Sequence, residues 1–312
     1  MSFSSMVKEE LAKHVSQARH CQLAELAAIL CYCGQIQMQD GLSIRIRTEN
    51  PAVARKYFTL LKKTFNIDTD VILNEQEDGT QNHNTHVIVD EKEAVTRILQ
   101  AVKLMDKDGR IILQEHRVNP ILIKNACCQR AFLRGAYLAI GSMSDPEKSY
   151  HLELVCTEQA QAEQLQELIQ GFDVEAKIVR RKKYYVVYMK EGASIVDFLN
   201  IIEAHVALME LENLRILKEM RNSINRRVNC EAANITKTVN AASKQTEDII
   251  LIRDTYGFEN LPDNLRQIAQ VRLEHPDATL KELGEFLTPS VGKSGVNHRL
   301  RKLSEIADRI KR

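Results

Sequence analysis

The chain has 312 residues, of which 44% are hydrophobic and 27% charged, with a formal net charge of +1. These values are ordinary for a globular protein of two or three domains. Charges interrupt the N-terminal segment where a secretory signal needs an apolar run, and no stretch approaches the roughly 18 apolar residues of a membrane span. We therefore expect a cytoplasmic protein that makes no contact with a membrane.

Up to about residue 210, one succession of predicted elements occurs twice. The first copy spans about 20–105 and contains helix 21–34, strand 42–48, helix 51–65, strands 70–76 and 86–90, and helix 91–105. The second copy spans about 127–205 and contains helix 128–141, strand 150–156, helix 158–171, strands 175–181 and 184–190, and helix 192–205. In strand 42–48, alternation places Leu42, Ile44 and Ile46 on one face and Ser43, Arg45 and Arg47 on the other.

The two copies also match residue by residue. Cys21 precedes Cys128 by 107 residues, each is followed by glutamine, and Gly34 precedes Gly141 by the same interval. A repeat of this length indicates a duplicated unit and not a solenoid. We expect residues 1–210 to form one α+β domain built from two repeats.

The helix that opens each copy carries small residues along one stripe. They are Ala24, Ala27, Ala28 and Gly34 in the first helix, and Gly135, Ala136, Ala139 and Gly141 in the second. Small residues let two helices approach closely, so we expect these helices to pack against each other about a pseudo-two-fold axis. An ordinary apolar core helix would show the same residues.

Segment 211–262 is polar with a helical pattern, and we assign it as a helical linker made of one long helix or two abutting ones. Its asparagines fall near one face, although asparagine is a poor helix former. Two interpretations stay open, namely capping and packing against the first domain, or contacts with phosphates and bases. The additional DNA contacts that we consider are Arg221, Asn225, Arg226 and Asn229.

Residues 263–312 predict an all-α domain of three helices, at 263–274, 279–287 and 294–310. Thr279 and Glu282 have the spacing of a capping box at the start of the second helix. Ser294 is the predicted N-cap of the third helix.

The third helix has an apolar seam, formed by Val296, Leu300, Leu303 and Ala307, and a polar face opposite to it. Residues 290–312 hold seven basic and two acidic side chains, which account for the net charge of +5 in residues 215–312, against −4 in residues 1–214. A solvated basic helix would look similar, but among three helices this face is typical of the major-groove helix of a helix-turn-helix. The expected contacts with double-stranded DNA are Lys293, Ser294, Asn297, His298, Arg301 and Lys302.

The cysteines and histidines show no spacing typical of a metal site. The seven cysteines are odd in number and include no CxxC pair, and His83 and His86 have no third ligand nearby in the sequence. We interpret the cysteines as small buried side chains and these histidines as surface residues. We therefore expect no disulfide framework, no metal and no cofactor.

The opening helices resemble the LAGLIDADG motifs of homing endonucleases, because LAAILCYCG (26–34) and LRGAYLAIG (133–141) keep leucine, small residues and the terminal glycine. The resemblance implies two helices at a pseudo-symmetric interface beside a saddle-shaped sheet. Cleavage in that family needs an acidic residue before each terminal glycine to hold a divalent metal. Cys33 and Ile140 occupy those positions, so we expect no catalytic residue. Asp40 and Asp145, a few residues farther on, are the alternative carboxylates.

Longer segments resemble the WhiA family of bacterial regulators over essentially the whole chain. They are SYHLELVC (149–156), KYYVVYMKEG (183–192), KEMRNSINRRVNCEAANITKTVNAA (218–242) and TLKELGEFLTPSVGKSGVNHRLRKL (279–303). The resemblance implies a LAGLIDADG-like domain without nuclease activity and a helix-turn-helix similar to region 4 of sigma factors. It further implies roles in sporulation gene transcription, together with a sigma factor, in filamentous actinobacteria, and in cell division and chromosome segregation in Firmicutes.

The sequence thus predicts a DNA-binding transcriptional regulator that is not an enzyme. We expect a monomer associated with the nucleoid, with an RNA polymerase sigma factor as the implied protein partner. One alternative is an active or residual homing-type endonuclease, which the missing acidic residues oppose. The other is a protein-binding scaffold that uses the N-terminal saddle, which the charge of −4 in residues 1–214 favours.

Overall fold

The computed structural model describes residues 2–38, 41–68, 70–74, 84–112 and 117–311. Its internal contacts divide the chain into a first unit, Met1–Lys218, and a second unit, Glu219–Arg312. Asp40, His83 and the end of the expected strand 70–76 lie outside the described residues. Within the described ranges, none of the helices combines the length and apolar character that crossing a membrane requires.

The first unit contains both predicted repeats, preceded by helix α1 (Phe3–Lys13). The first repeat consists of α2 (Arg19–Cys33), β1 (Gly34–Gln37), β2 (Ser43–Thr48), α3 (Pro51–Phe65), β3 (Asp70–Asn74), β4 (Asn84–Val89) and α4 (Lys92–Ala101). The second repeat consists of α5 (Ala126–Ile140), β5 (Gly141–Met143), β6 (Leu152–Cys156), α6 (Gln159–Gln170), β7 (Lys177–Arg181), β8 (Tyr184–Met189) and α7 (Gly192–Ile201). A short 3-10 helix, Pro120–Ile123, lies between the repeats.

Each repeat builds one antiparallel four-stranded sheet, and the two sheets have equivalent strand orders, β1-β2-β4-β3 and β5-β6-β8-β7. This equivalence confirms the duplication. Ile44 and Ile46 of β2 are fully buried, whereas Arg47 is exposed, so the predicted alternation of this strand is also confirmed. Strands β1 and β5 were not predicted. Each starts at the glycine that ends the preceding helix, and each is too short to show a period of two.

Helices α2 and α5 pack directly against each other, as the stripes of small residues predict. The approach is closest at Gly135, where a Cβ atom would lie 2.5 Å from the carbonyl oxygen of Glu25 and 2.9 Å from the Cβ of Ala28. No residue larger than glycine fits there without moving the α2 backbone. The two repeats therefore share one hydrophobic core, which is continuous across this helix pair.

The same core contains a charged cluster that the sequence analysis did not foresee. Glu25 and Lys56 are fully buried and Arg134 is 2% exposed. One oxygen of Glu25, Oε1, lies 2.9 Å from the Lys56 Nζ and 3.0 Å from the Arg134 Nε. Lys56 also donates to the carbonyl oxygen of Leu11, and Arg134 pairs with Glu203. Pairing and hydrogen bonding offset the cost of burying these charges.

Helix α8 (His205–Thr255) is one continuous helix, which decides between the two alternatives for the linker segment. A 3-10 turn (Phe258–Asn260) follows, and then come α9 (Asp263–Glu274), α10 (Leu280–Glu285) and α11 (Lys293–Ile310). Ile249 and Ile252, near the end of α8, join the apolar residues of α9, α10 and α11 in the separate core of the second unit.

Candidate nucleic-acid interface

Helix α11 turns a strictly apolar seam towards the core of the second unit. Val296 and Ala307 are fully buried, and Leu300 and Leu303 are 1% exposed. The seam that the sequence predicts is thereby confirmed. Burial of the seam fixes the rotation of α11 about its own axis, and it decides which side chains point away from the core.

The connection between α10 and α11 depends on Gly284, whose role the sequence analysis missed. A Cβ at this position would lie 2.0 Å from the carbonyl oxygen of Val291 and 3.2 Å from the Cγ2 of Val296. In addition, the Val291 N–H donates to the carbonyl oxygen of Gly284 at 3.0 Å. The turn before α11 therefore packs against the backbone of α10, and only glycine permits this approach. The dipeptide Leu-Gly inside a short helix pattern was the available signal.

The start of α10 agrees with the sequence. Thr279 is the N-cap, its side chain accepts from the Glu282 N–H at 3.3 Å, and its own N–H donates to the Glu282 carboxylate at 2.7 Å. These bonds favour the charged carboxylate and lower the pKa of Glu282. The predicted capping box is confirmed.

The start of α11 differs from the expectation. Gly292 is the N-cap and Lys293 the first helical residue, so Ser294 lies inside the first turn and is not the cap. With its extended backbone, Gly292 caps the helix two residues earlier than serine's preference for caps suggested. No side chain caps the first N–H groups of α11, which leaves them available to an anion.

The face of α11 opposite the seam is open, and every residue that the sequence nominates for it is exposed. The exposed residues are Lys293, Ser294, Asn297, His298, Arg301 and Lys302. Arg301 donates through Nε to Glu305, one turn farther on, at 3.2 Å, and its side chain is 77% exposed. Arg299, in contrast, is half-buried and reaches the carbonyl oxygen of Asn264 on α9.

The nominated residues on α8 lie in a stretch in which every residue from 221 to 240 is exposed. Arg221, Asn225, Arg226 and Asn229 are therefore accessible. Arg226 donates to the carbonyl oxygen of Asn222 at 3.4 Å.

Arg272 is a buried hydrogen-bond donor in the second unit, and the sequence analysis did not single it out. It is 3% exposed and donates to the carbonyl oxygens of Pro276 and Ala278 and to the Gln245 side chain, at 3.2, 2.7 and 2.9 Å. Its burial lowers the pKa of the guanidinium. Through these bonds Arg272 ties the turn before α10 to α8.

The ends of α2 and α5 carry Cys33 and Ile140, immediately before the strands β1 and β5. Burial raises the pKa of the Cys33 thiol to about 12, and the thiol donates to the carbonyl oxygen of Ile29 at 3.1 Å. Lys8, whose pKa burial lowers to about 8, interacts electrostatically with Cys33. A neutral thiol beside an ammonium group is a poor environment for Mg²⁺, which prefers carboxylate oxygens.

Asp145, the alternative carboxylate within the described residues, lies in a turn after β5. Its Oδ1 accepts from the Glu147 N–H at 3.0 Å, and Lys148 lies 3.9 Å from its Oδ2. The carboxylate thus caps a local turn.

The sheet of the second repeat carries both positive and negative side chains. Arg181 of β7 pairs with Glu153 of β6 at 2.9 Å, and His151 lies 3.2 Å from the same carboxylate oxygen. The positive charge that Arg180, Arg181, Lys182 and Lys183 bring to this region is therefore partly neutralised.

Fold and site define a class of protein, in which a duplicated LAGLIDADG-like unit precedes a helix-turn-helix. Family models match three parts of the chain: the WhiA N-terminal LAGLIDADG-like domain at residues 19–105, the WhiA LAGLIDADG-like domain at 129–221 and the WhiA C-terminal HTH domain at 224–307. The chain belongs to the WhiA family.

Relatives along the full length agree with this assignment. A probable cell division protein WhiA from Lachnoclostridium phytofermentans is 55% identical over 100% of both chains. Another, from Alkaliphilus oremlandii, is 51% identical over 99% of this chain and 98% of the relative. The crystal structure of full-length DUF199/WhiA from Thermatoga maritima shares the fold, with a TM-score of 0.61 at 24% identity and 99% coverage of each chain.

Proposed function

We propose that the chain is a regulator that binds double-stranded DNA in a sequence-directed way, without nuclease activity, and acts in transcription linked to cell division and chromosome segregation. The open face of α11 carries this proposal, because its polar side chains are exposed while the seam behind them is buried. The names of the relatives, probable cell division protein WhiA, support the cellular role. We extend the proposal to sporulation as the related role in spore-forming relatives.

In the proposed complex, α11 lies in the major groove, where some of its residues contact bases and another contacts a phosphate. Arg301 bonds a guanine edge through its planar guanidinium, and Asn297 bonds an adenine edge. The pair that Arg301 makes with Glu305 is exposed, and such pairs are worth only about 0.3–0.5 kcal/mol, so DNA competes with it readily. Lys293, beside the uncapped N–H groups, binds a phosphate.

The experiment is a salt series of affinities for a selected duplex and a random duplex, measured with the full chain. Arg301→Ala and Asn297→Ala should each cost about 1–3 kcal/mol on the selected duplex and relax the preference at one base pair. Lys293→Ala should weaken both duplexes alike and make the log–log salt slope shallower by about one unit. Arg253→Ala, an exposed arginine of α8, is the matched control and should change neither affinity.

If Arg301→Ala lowers both affinities equally, α11 is a phosphate clamp and the specificity lies elsewhere. In that case Arg221, Asn225, Arg226 and Asn229 of α8 are the next residues to replace. They are exposed and offer the same types of donor.

The absence of nuclease activity rests on the ends of α2 and α5, where a thiol and an isoleucine replace the carboxylates. Plasmid DNA should stay intact when incubated with the protein and Mg²⁺ or Mn²⁺. Metal-dependent nicking that disappears in Asp145→Ala would overturn this part of the proposal.

The remaining parts of the proposal follow from DNA binding and from the likeness to sigma region 4. We infer a nucleoid-associated protein that acts as a monomer, with an RNA polymerase sigma factor as partner. Analytical ultracentrifugation of the protein alone, and of a mixture with purified RNA polymerase holoenzyme, tests both inferences. A dimer, or the absence of a shared sedimenting species, would contradict them.

A further inference from the structure

The N-terminal ends of α2 and α5 bring together two pairs of side chains, and the pairs are more than 100 residues apart in sequence. The first pair is His20 and Cys21, and the second is Cys127 and Cys128. Their ligand atoms, one ring nitrogen and three Sγ atoms, all lie within 4.8 Å of one another. The His20 Nδ1 lies 3.2 Å from the Cys128 Sγ and 3.3 Å from the Cys21 Sγ.

This cluster arises from the duplication. Cys21 and Cys128 occupy equivalent positions of the two repeats, 107 residues apart. The close packing of α2 and α5 makes the two helix starts neighbours. No sequence spacing reveals such a set, because each repeat contributes one adjacent pair and neither pair forms a CxxC motif.

From this geometry we propose that His20, Cys21, Cys127 and Cys128 form a binding site for a thiophilic metal ion, with Zn²⁺ as the ion that they fit. Three thiolates and one imidazole are an established donor set for tetrahedral structural zinc. With Zn–S distances of about 2.3 Å and Zn–N distances of about 2.0 Å, neighbouring ligand atoms lie roughly 3.5–3.8 Å apart. The described distances need only small rotamer changes to reach these values.

The partial exposure of the cluster gives an ion access to it, and the charges around it are compatible with metal binding. Cys21 and Cys128 are 5% and 3% exposed, whereas His20 and Cys127 are exposed and leave an entry path. Three thiolates with one dication leave a net charge of −1. The positive ends of the α2 and α5 helix dipoles, at which the cluster lies, offset part of that charge.

Deprotonation of the buried thiols is the cost of binding. Burial raises the pKa of the Cys21 thiol to about 12, so this thiol is protonated when no cation is near. A dication at the centre of the cluster stabilises the thiolate directly, and the protons are released to solvent. The bound ion joins the first turns of α2 and α5, and so holds the two repeats together at the end of their interface.

The test uses the full chain, reduced, treated with a chelator, and titrated with Co²⁺ under anaerobic conditions. We expect one equivalent of Co²⁺ to bind with thiolate-to-metal charge-transfer absorption and the intense d–d bands of a tetrahedral ion. One equivalent of Zn²⁺ should displace the Co²⁺ and abolish both the charge-transfer absorption and the d–d bands. Cys127→Ser and His20→Asn, which change exposed side chains, should each weaken binding by more than about 10-fold.

Cys230→Ser is the matched control, because it removes an exposed cysteine on α8 and should leave the titration unchanged. Circular dichroism of the metal-free variants checks that they are folded. The proposal is wrong if the reduced protein shows no thiolate charge-transfer band, or if Cys127→Ser and His20→Asn keep the band and the affinity of the parent chain. It is also wrong if the purified protein contains a disulfide within the cluster and its reduced form takes up no metal.

Discussion

At the scale of single residues, a glycine and a buried glutamate show how the fold gives importance to ordinary positions. Gly284 lets the turn before α11 reach the backbone of α10. Glu25 is the common partner of two buried cations, Lys56 and Arg134. Neither residue is conspicuous in the sequence, because an isolated glycine in a short helix and a glutamate on a helix are both ordinary. Their importance comes from what the fold places against them.

Gly284→Ala should destabilise the second unit. The added methyl group meets the Val291 carbonyl oxygen at 2.0 Å, and displacing backbone in a packed unit costs about 1–3 kcal/mol. We expect faster amide exchange in α10 and α11, and weaker DNA binding as a result. Gly192→Ala is the matched control, since its new Cβ meets no atom closer than 3.4 Å. Equal amide-exchange rates in the two variants would show that the turn accommodates the added methyl group without loss of stability.

Glu25→Gln should be far more damaging than loss of a surface pair. Replacing the carboxylate leaves the Lys56 and Arg134 cations buried without their common counter-ion, a loss of about 3–5 kcal/mol in the free energy of unfolding. Glu9→Gln removes the partner of Arg55, whose side chain is 61% exposed, and should cost about 0–1 kcal/mol. Urea denaturation of both variants compares them, and similar midpoints would mean that the buried pair contributes no more than the exposed one.

At the scale of elements, α8 combines anchored ends with an unsupported middle. Ala207 and Leu211 join the core of the first unit, and Ile249 and Ile252 join that of the second. Between them every residue from 221 to 240 is exposed. Isolated helices depend on packing for most of their stability, so the middle of α8 must be its weakest part.

Hydrogen exchange should therefore be faster in residues 221–240 than in the two anchored ends of α8. The amides of the middle open by local unfolding, whereas those near Ile249 and Ile252 need the core of the second unit to open. Exchange followed by mass spectrometry on the DNA-free protein measures the difference. Uniform protection along α8 would indicate that a partner or a second copy covers the middle in solution.

At the scale of the whole molecule, charge is unevenly distributed along the chain. Residues 1–214 carry −4 and residues 215–312 carry +5, although the chain as a whole carries only +1. Since long-range attraction follows the summed field, we expect the proposed DNA binding to be directed to the C-terminal part. The first unit consists of LAGLIDADG-like domains, and its second sheet has Glu153 paired with Arg181.

Replacing saddle arginines should consequently leave DNA affinity nearly unchanged. Arg47→Ala, at an exposed position near the end of β2, should alter the affinity of the full chain for DNA less than Lys293→Ala does at every salt concentration. The same duplexes and salt series serve for both variants. If Arg47→Ala flattens the salt slope as much as Lys293→Ala does, the saddle contributes phosphate contacts of its own.

The sequence by itself determined the repeating order of helices and strands, the buried seam of α11 and the capping box of α10. These features are local, because a hydrophobic period or a cap depends on residues a few positions apart. The predicted start of α11 was nevertheless wrong, because the N-cap is Gly292 and not Ser294.

Only the tertiary structure decided which distant residues meet. Strands β1 and β5 exist because neighbouring strands pair with them, and their few residues carry no periodic signal. The charges of Glu25 and Arg134, 109 residues apart, are neutralised across the α2–α5 interface, and His20 meets Cys128 across the same interface. Contacts of this kind depend on how whole helices pack, and the packing is set by the complete core and not by any short stretch of sequence.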